Sequence, residues 1–240
     1  MLKVVYRTDP DKIAALLPPG IEPGAKPNVT LTIYNYPVPD EPEYGIVTSV
    51  DANYNGIAGE FTLGYGIDQE SAIFVSQETN GQPKYPCTTE FYRLGPQVKA
   101  RCTHQGYTFV EFHGFSKGPS EPGAPFQQNE WWLKYSRAVS VGGPATGFDF
   151  PPHVVRVRSE YGTAWREDVD GTLILRDSPW DPLATLLPMR KQLAAYLWWP
   201  TFLDREMTLA GQLDPQKFLP FADTISGSRW PGTNGGPKRG

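Results

Sequence analysis

Apolar and polar positions alternate with a period of two along much of the chain, and that period predicts strands. It runs through residues 2–7, 28–36, 46–54 and 57–65, the last two meeting at Asn55-Gly56, a dipeptide suited to a tight hairpin turn. Residues 71–76 read as a short apolar strand. Further strands are predicted at about 91–94, 98–103, 107–112, 131–139 and 153–161, with Asp170-Gly171 turning into another at 172–175. Helical signals are fewer. Thr8-Asp9-Pro10-Asp11-Lys12 reads as a helix start, with an Asp cap and Pro at the first helical position. Residues 13–17 supply its apolar face, and Pro18-Pro19-Gly20 stops it. Residues 189–199 form the one long helical pattern, ended by Pro200. Loops are expected at 37–44 and 116–128.

This pattern predicts an α+β fold, predominantly antiparallel β, barrel-like or a double sheet around a cavity, with a few flanking helices. One domain is expected over residues 1–225, followed by a Gly/Pro-rich tail at 226–240. Composition agrees with short strands and many turns: the 240 residues include 25 Pro and 24 Gly, both poor in helix interiors. The aromatic content of 13% demands a packed core and argues against disorder throughout.

Charge and rare residues narrow the chemistry. A net charge of -4 offers no field for nucleic acid or anionic membrane, so neither is expected as a partner. No stretch approaches the roughly 20 apolar residues of a membrane-spanning helix, and the opening residues lack a signal peptide's apolar run. Cys87 and Cys102 read as buried thiols, which suits a reducing cytoplasm. The only histidines are His104, His113 and His153, with no zinc or serine-hydrolase motif around them, so no metal or organic cofactor is expected.

One segment breaks the strand rhythm: Glu78-Thr79-Asn80-Gly81-Gln82-Pro83-Lys84-Tyr85-Pro86-Cys87. Prolines on both sides of Lys84-Tyr85 stiffen a backbone that could hold one side chain still. The residues nearest Lys84 carry no second charge. A rigid surface loop with an exposed lysine is the other reading of the same residues.

Several stretches here resemble the acetoacetate decarboxylase-like family. Val4-Val5-Tyr6-Arg7-Thr8-Asp9-Pro10 looks like its opening. Glu78 to Lys84 resembles its Arg-Glu-x-x-x-Tyr-Pro-Lys segment, whose lysine forms a Schiff base with a carbonyl substrate. Trp131-Trp132-Leu133-Lys134-Tyr135 resembles its Phe-Leu-Lys strand. Gly171-Thr172-Leu173-Ile174-Leu175, followed by Pro182-Leu183-Ala184-Thr185-Leu186-Leu187-Pro188, looks like its close. The motifs are colinear from about residue 2 to 208.

The resemblance implies a Schiff-base role for Lys84, with Glu78 as the matching loop carboxylate. It also implies a homo-oligomer, a tetramer among the candidate states. Departures are equally informative. The family's decarboxylases follow the reactive lysine with a second lysine, which activates it (acetoacetate decarboxylase is the standing example of this device); here Tyr85 follows. Gln77 and Gln82 stand where the family has Arg and Tyr, and Thr32 replaces a strand glutamate. A second acidic site has no clean match around Glu43-Tyr44-Gly45, and the N-terminal arginine would fall upstream of Met1.

An amine attacks a carbonyl only when neutral, and an ordinary lysine has a pKa of about 10.4. Once formed, the iminium is an electron sink that serves decarboxylation, aldol addition, dehydration or hydration alike. Gln82 as an amide donor, with Tyr44 or Tyr85 as a phenol acid/base, suits work on a 2-oxo acid better than decarboxylation. The expectation is therefore a cytoplasmic Schiff-base lyase on a small keto acid, with catalytic candidates Lys84, Gln82, Tyr44, Glu78 and Tyr85. Decarboxylation of a β-keto acid is the rival within the class. A non-catalytic cavity holding a small ligand is the rival outside it, and would leave Lys84 near the surface.

Overall fold

The computed structural model describes residues 1–37, 42–139, 147–222 and Trp230. In chain order the elements are β1 (Leu2–Arg7), α1 (Pro10–Leu16), β2 (Glu22–Pro23), β3 (Asn28–Tyr36), β4 (Glu43–Tyr54), β5 (Ile57–Ile67) and α2 (Glu70–Asn80). Then come β6 (Lys84–Pro86), β7 (Thr88–Leu94), β8 (Gln97–His104), β9 (Tyr107–Pro119) and β10 (Phe126–Lys134). The chain continues through β11 (His153–Leu175), α3 (Leu183–Leu186), β12 (Lys191–Gln212) and α4 (Pro215–Phe218).

All the strands belong to one sheet. Its main path runs β10-β5-β4-β3-β1-β12-β11-β9-β8-β7, and an added β10–β11 pairing closes the first part into a ring. Pairing is antiparallel except where β5 meets β10 and β6. The expected β-rich α+β fold with a ring of strands is thus what the chain adopts. No helix among the described residues is long and apolar enough to cross a membrane.

Two elements depart from the sequence expectation. Residues 189–199 are not helical: they enter β12, a central strand flanked by β1 and β11. Ala195, Leu197 and Trp198 are buried there, and pairing on both edges outweighs the good helix formers of the segment. Residues 71–76 are not a strand but lie within α2. Because β5 and β6 run parallel, the chain between them must cross over, and a helix is the ordinary way to do so. Gly81 ends α2 with φ 68°, in the left-handed region that glycine adopts freely.

Smaller differences follow from strand length. Asp170-Gly171 lies inside the 23-residue β11 rather than in a turn. Gly171 is needed there because a Cβ would come within 2.5 Å of the Phe112 ring. The loop expected at 116–128 shrinks to 120–125, since β9 and β10 extend into it. Asn55 and Gly56 form the expected hairpin turn, with φ 49° and 77°. Asp9 precedes α1 but makes no capping bond; its carboxylate takes the Arg190 guanidinium at 2.7–3.1 Å instead.

The sheet has two different faces. On one, Leu2, Val4, Leu31, Ile33, Ile46, Val50, Phe61 and Trp131 pack into the main apolar core. On the other, the alternate residues of the same strands wall a cavity. Of the tail expected at 226–240, only Trp230 lies within the described residues. It is buried, and its indole nitrogen donates to Asp181 Oδ1 at 3.4 Å.

Candidate active site

The cavity measures about 470 Å³ and takes wall residues from β1, β3, β4, β5, β6, β10, β11 and β12. Strand alternation delivers them: Lys3 from β1, Thr32 and Tyr34 from β3, Glu43 and Ser49 from β4, Glu60 and Tyr65 from β5, Glu130 and Trp132 from β10. Lys84 opens β6 and projects into this space, where the residue is only 8% exposed. Its backbone is fixed from both sides. Tyr65 N–H donates to Pro83 O at 2.8 Å, and the Gln77 side-chain amide donates to Lys84 O. The shielded position does not fit a lysine exposed on a surface loop.

Glu43 is the partner of that amine. Its Oε2 lies 3.5 Å from Lys84 Nζ, while its Oε1 accepts the Tyr34 hydroxyl at 2.7 Å. Burial, then the charge and hydrogen bond of Glu43, push the Tyr34 phenol well above the usual tyrosine range, so it stays a donor. A second phenol–carboxylate pair stands beside the first. The Tyr65 hydroxyl donates to Glu130 Oε2 at 2.6 Å, and Trp132 Nε1 donates to the same oxygen at 3.2 Å. Burial pushes the Glu130 carboxyl up, against the opposing pull of the Tyr65 hydrogen bond and the Arg205 charge. Farther along the wall, Ser49 donates to Glu60 Oε2 at 2.5 Å.

The sequence-derived candidates divide cleanly. Lys84 and Gln82 both line the cavity. Tyr85, next along β6, points to the opposite face and packs its ring 4.9 Å from that of His104. Tyr44 likewise faces away from Glu43's side of β4, and its hydroxyl accepts from Asn35 Nδ2 at 3.0 Å. Glu78 is exposed on α2; its neighbour Gln77 is the residue that touches the Lys84 backbone. Glu43, Tyr34, Tyr65 and Glu130 were not singled out from the sequence; Glu43 falls in the loop expected at 37–44, whereas β4 begins at Glu43 and so carries it on one face with Val47 and Ser49.

The remaining rare residues do not line the cavity. His104 Nδ1 lies 2.7 Å from the fully buried Asp181 Oδ2, and Cys87 and Cys102 are buried free thiols. No group of three or more His, Cys, Asp or Glu poised for a metal occurs among the described residues.

A single curled sheet thus encloses a cavity that holds a shielded primary amine beside a carboxylate. The sequence pattern of the acetoacetate decarboxylase (ADC) family matches residues 1–213, and the chain belongs to that family. A curated relative, the acetoacetate decarboxylase of Paraburkholderia phytofirmans, is 34% identical over 88 residues. That match covers 35% of this chain and 33% of the relative, so the chain matches about a third of the relative's length.

Solved structures share the fold more widely. A solved acetoacetate decarboxylase superposes with a TM-score of 0.73 at 15% identity, covering 88% of this chain and 86% of its own. The enduracididine biosynthesis enzyme MppR, solved with pyruvate, gives 0.65 at 16% identity, with 86% of each chain covered. At such identities the likeness is one of fold.

Proposed function

We propose that the chain is a Schiff-base-forming lyase that acts on a small keto acid through Lys84. The observation that carries this reading is the Lys84 amine, shielded in a cavity with Glu43 at 3.5 Å. In the preferred reaction the Lys84 nitrogen attacks the ketone carbon of a 2-oxo acid and a C–N bond forms. Glu43 takes the protons that leave nitrogen one after the other and hands them to the former carbonyl oxygen, which departs as water and leaves an iminium. Loss of a C3 proton gives an enamine, whose carbon attacks an aldehyde to form the new C–C bond. Loss of water and hydrolysis of the imine then release an unsaturated keto acid and return the amine. Hydration of an unsaturated keto acid uses the same intermediates in reverse.

Cavity size supports condensation over simple decarboxylation. About 470 Å³ is the range of a drug-sized ligand rather than of a three- or four-carbon acid, which leaves room for a second reactant. Gln82 supplies an amide for the substrate carboxylate, and Lys3 and Arg205 bring positive charge to the same wall. MppR, solved with pyruvate, is the neighbour whose ligand has this chemistry. Decarboxylation of a β-keto acid is the second reading, favoured by the carboxylates Glu43, Glu60 and Glu130, which would repel a leaving carboxylate.

A homo-oligomer in a reducing cytoplasm fits the same reading. Trp199, Phe202, Leu203, Met207 and Leu209 leave β12 exposed and apolar, and both cysteines are free.

Borohydride reduction in the presence of pyruvate or acetoacetate tests the proposal. One reduced substrate mass on Lys84 is expected. Absence of trapping with both, together with unchanged activity in Lys84→Ala, would overturn the Schiff-base reading. Release of CO₂ from acetoacetate would reverse the preference between the two reactions.

A further inference from the structure

The two phenol–carboxylate pairs are placed differently with respect to Lys84. Glu43 is committed to nitrogen: one oxygen faces Nζ and the other is taken by Tyr34. The step that turns an iminium into an enamine breaks a bond to carbon, and that proton needs its own acceptor. Tyr65 is positioned for it. It is the register partner of Lys84 across the parallel β5–β6 pairing, so the two side chains leave the sheet side by side, and both line the cavity.

We propose that the cavity divides its proton handling, with Tyr34–Glu43 serving the Lys84 nitrogen and Tyr65–Glu130 removing and returning the proton at C3 of the bound 2-oxo acid. This rests on the Schiff-base reading of Lys84. The C3–H bond breaks, its electron pair forms the C2–C3 double bond, and the C–N π pair moves onto nitrogen. The proton passes to Tyr65 Oη as Tyr65 gives its own proton to Glu130 Oε2, 2.6 Å away. Reprotonation runs the same path backwards, so no proton is gained or lost overall.

The surroundings suit a relay rather than a free phenolate. Burial, with the Glu130 charge second, holds the Tyr65 phenol far above the usual tyrosine range, so it gives up its proton only to a partner in contact. Glu130 is held in place by Trp132 Nε1 at 3.2 Å, and the Trp132 ring meets Tyr65 edge-on at 5.9 Å. Arg205 offsets the Glu130 charge. Tyr65 is therefore assigned as the catalytic residue at carbon and Glu130 as the positioning acceptor behind it.

The test compares two readouts on the full chain, with pyruvate as the probe: borohydride trapping at Lys84, read by mass, and exchange of the pyruvate methyl protons in D₂O, read by NMR. Wild type should show both. Tyr65→Phe and Glu130→Gln should keep trapping while exchange falls about 100-fold, the lower range for removing a positioned acid–base group. Trapping in the same sample reports an intact site. Trapping kept with exchange undiminished would overturn the relay alone. Loss of both in the variants would overturn it too, making the pair structural. Absence of trapping in the wild type would overturn the Schiff-base reading itself.

Discussion

Glu43 Oε2 lies 3.5 Å from Lys84 Nζ although the two residues are 41 positions apart in the chain. β4 and β6 bring them together from either side of β5. On the proposed Schiff-base reading, Glu43 is a proton acceptor within reach of the Lys84 amine. Glu43→Gln keeps the Tyr34 contact through the amide oxygen but cannot accept a proton from nitrogen. Imine formation with pyruvate, followed by timed borohydride quenching, is expected to slow by about 10²-fold or more. Thermal stability should move little, which separates a chemical role from a structural one.

Gly81 sets where Lys84 begins. At φ 68° it turns the chain out of α2, and an added Cβ would sit 2.5 Å from Lys134 Cα and 2.6 Å from the Leu133 carbonyl carbon. Both obstacles are backbone, so β10 or β6 would have to move. Gly81→Ala is expected to cost more than the roughly 1–2 kcal/mol of a left-handed residue alone, and to slow trapping at Lys84. Gly95 is the control: its φ is 58°, with open space around a Cβ, so Gly95→Ala should show the conformational cost only. Urea unfolding of both variants, with trapping rates, measures the difference.

The period-two pattern made the β-rich fold legible, and the hairpin at Asn55-Gly56 was readable from local chemistry. The segment 189–199 was not, because its Leu, Ala and Gln have helical preference and only the flanking strands β1 and β11 decide otherwise. The polar stripe of Lys3, Thr32, Glu60 and Glu130 hid the site in a similar way. Alternation tells which residues share a face, but not whether that face meets water or closes on a cavity. Lys84 stood out through its bracketing prolines and neutral neighbours. Tyr85 and Tyr44, adjacent in sequence to Lys84 and Glu43, fall on the face of their strands away from the cavity by the same alternation. Glu43 and Tyr34 become visible as a site only once β3, β4 and β6 are assembled.

Asp51 and Glu60 stand opposite each other in the β4–β5 ladder. Burial, and then the Glu60 charge, raise the Asp51 carboxyl from 3.8 to about 6. Between those two pH values the folded protein holds a proton that the unfolded chain has released. Stability should therefore fall as pH rises from about 4 to about 6, and level off above. Asp51→Asn is expected to flatten that part of the profile while keeping a polar partner for Asn28, which donates to Asp51 Oδ2 at 3.3 Å. Urea midpoints across this pH range check the slope, and an unchanged slope in the variant would assign it elsewhere.

Asp181 ties the far side of the β6 segment to the end of the described chain. It is completely buried, with His104 Nδ1 at 2.7 Å on one oxygen and the Trp230 indole at 3.4 Å on the other. Two backbone turns of the same loop hold it, since its own N–H and that of Trp180 both donate to Ser178 Oγ. Removing the carboxylate strands two buried groups, each costing about 1–3 kcal/mol when left unpaired. Asp181→Ala should therefore lose about 2–6 kcal/mol in urea unfolding. Because the His104 ring rests 4.9 Å from Tyr85, the residue after Lys84, the variant should also trap substrate more slowly at temperatures where it remains folded. Asp181→Asn, which keeps the shape and one acceptor, should recover most of the trapping rate. Equal trapping in Asp181→Ala and wild type would show that this buried cluster stabilises the fold without positioning Lys84.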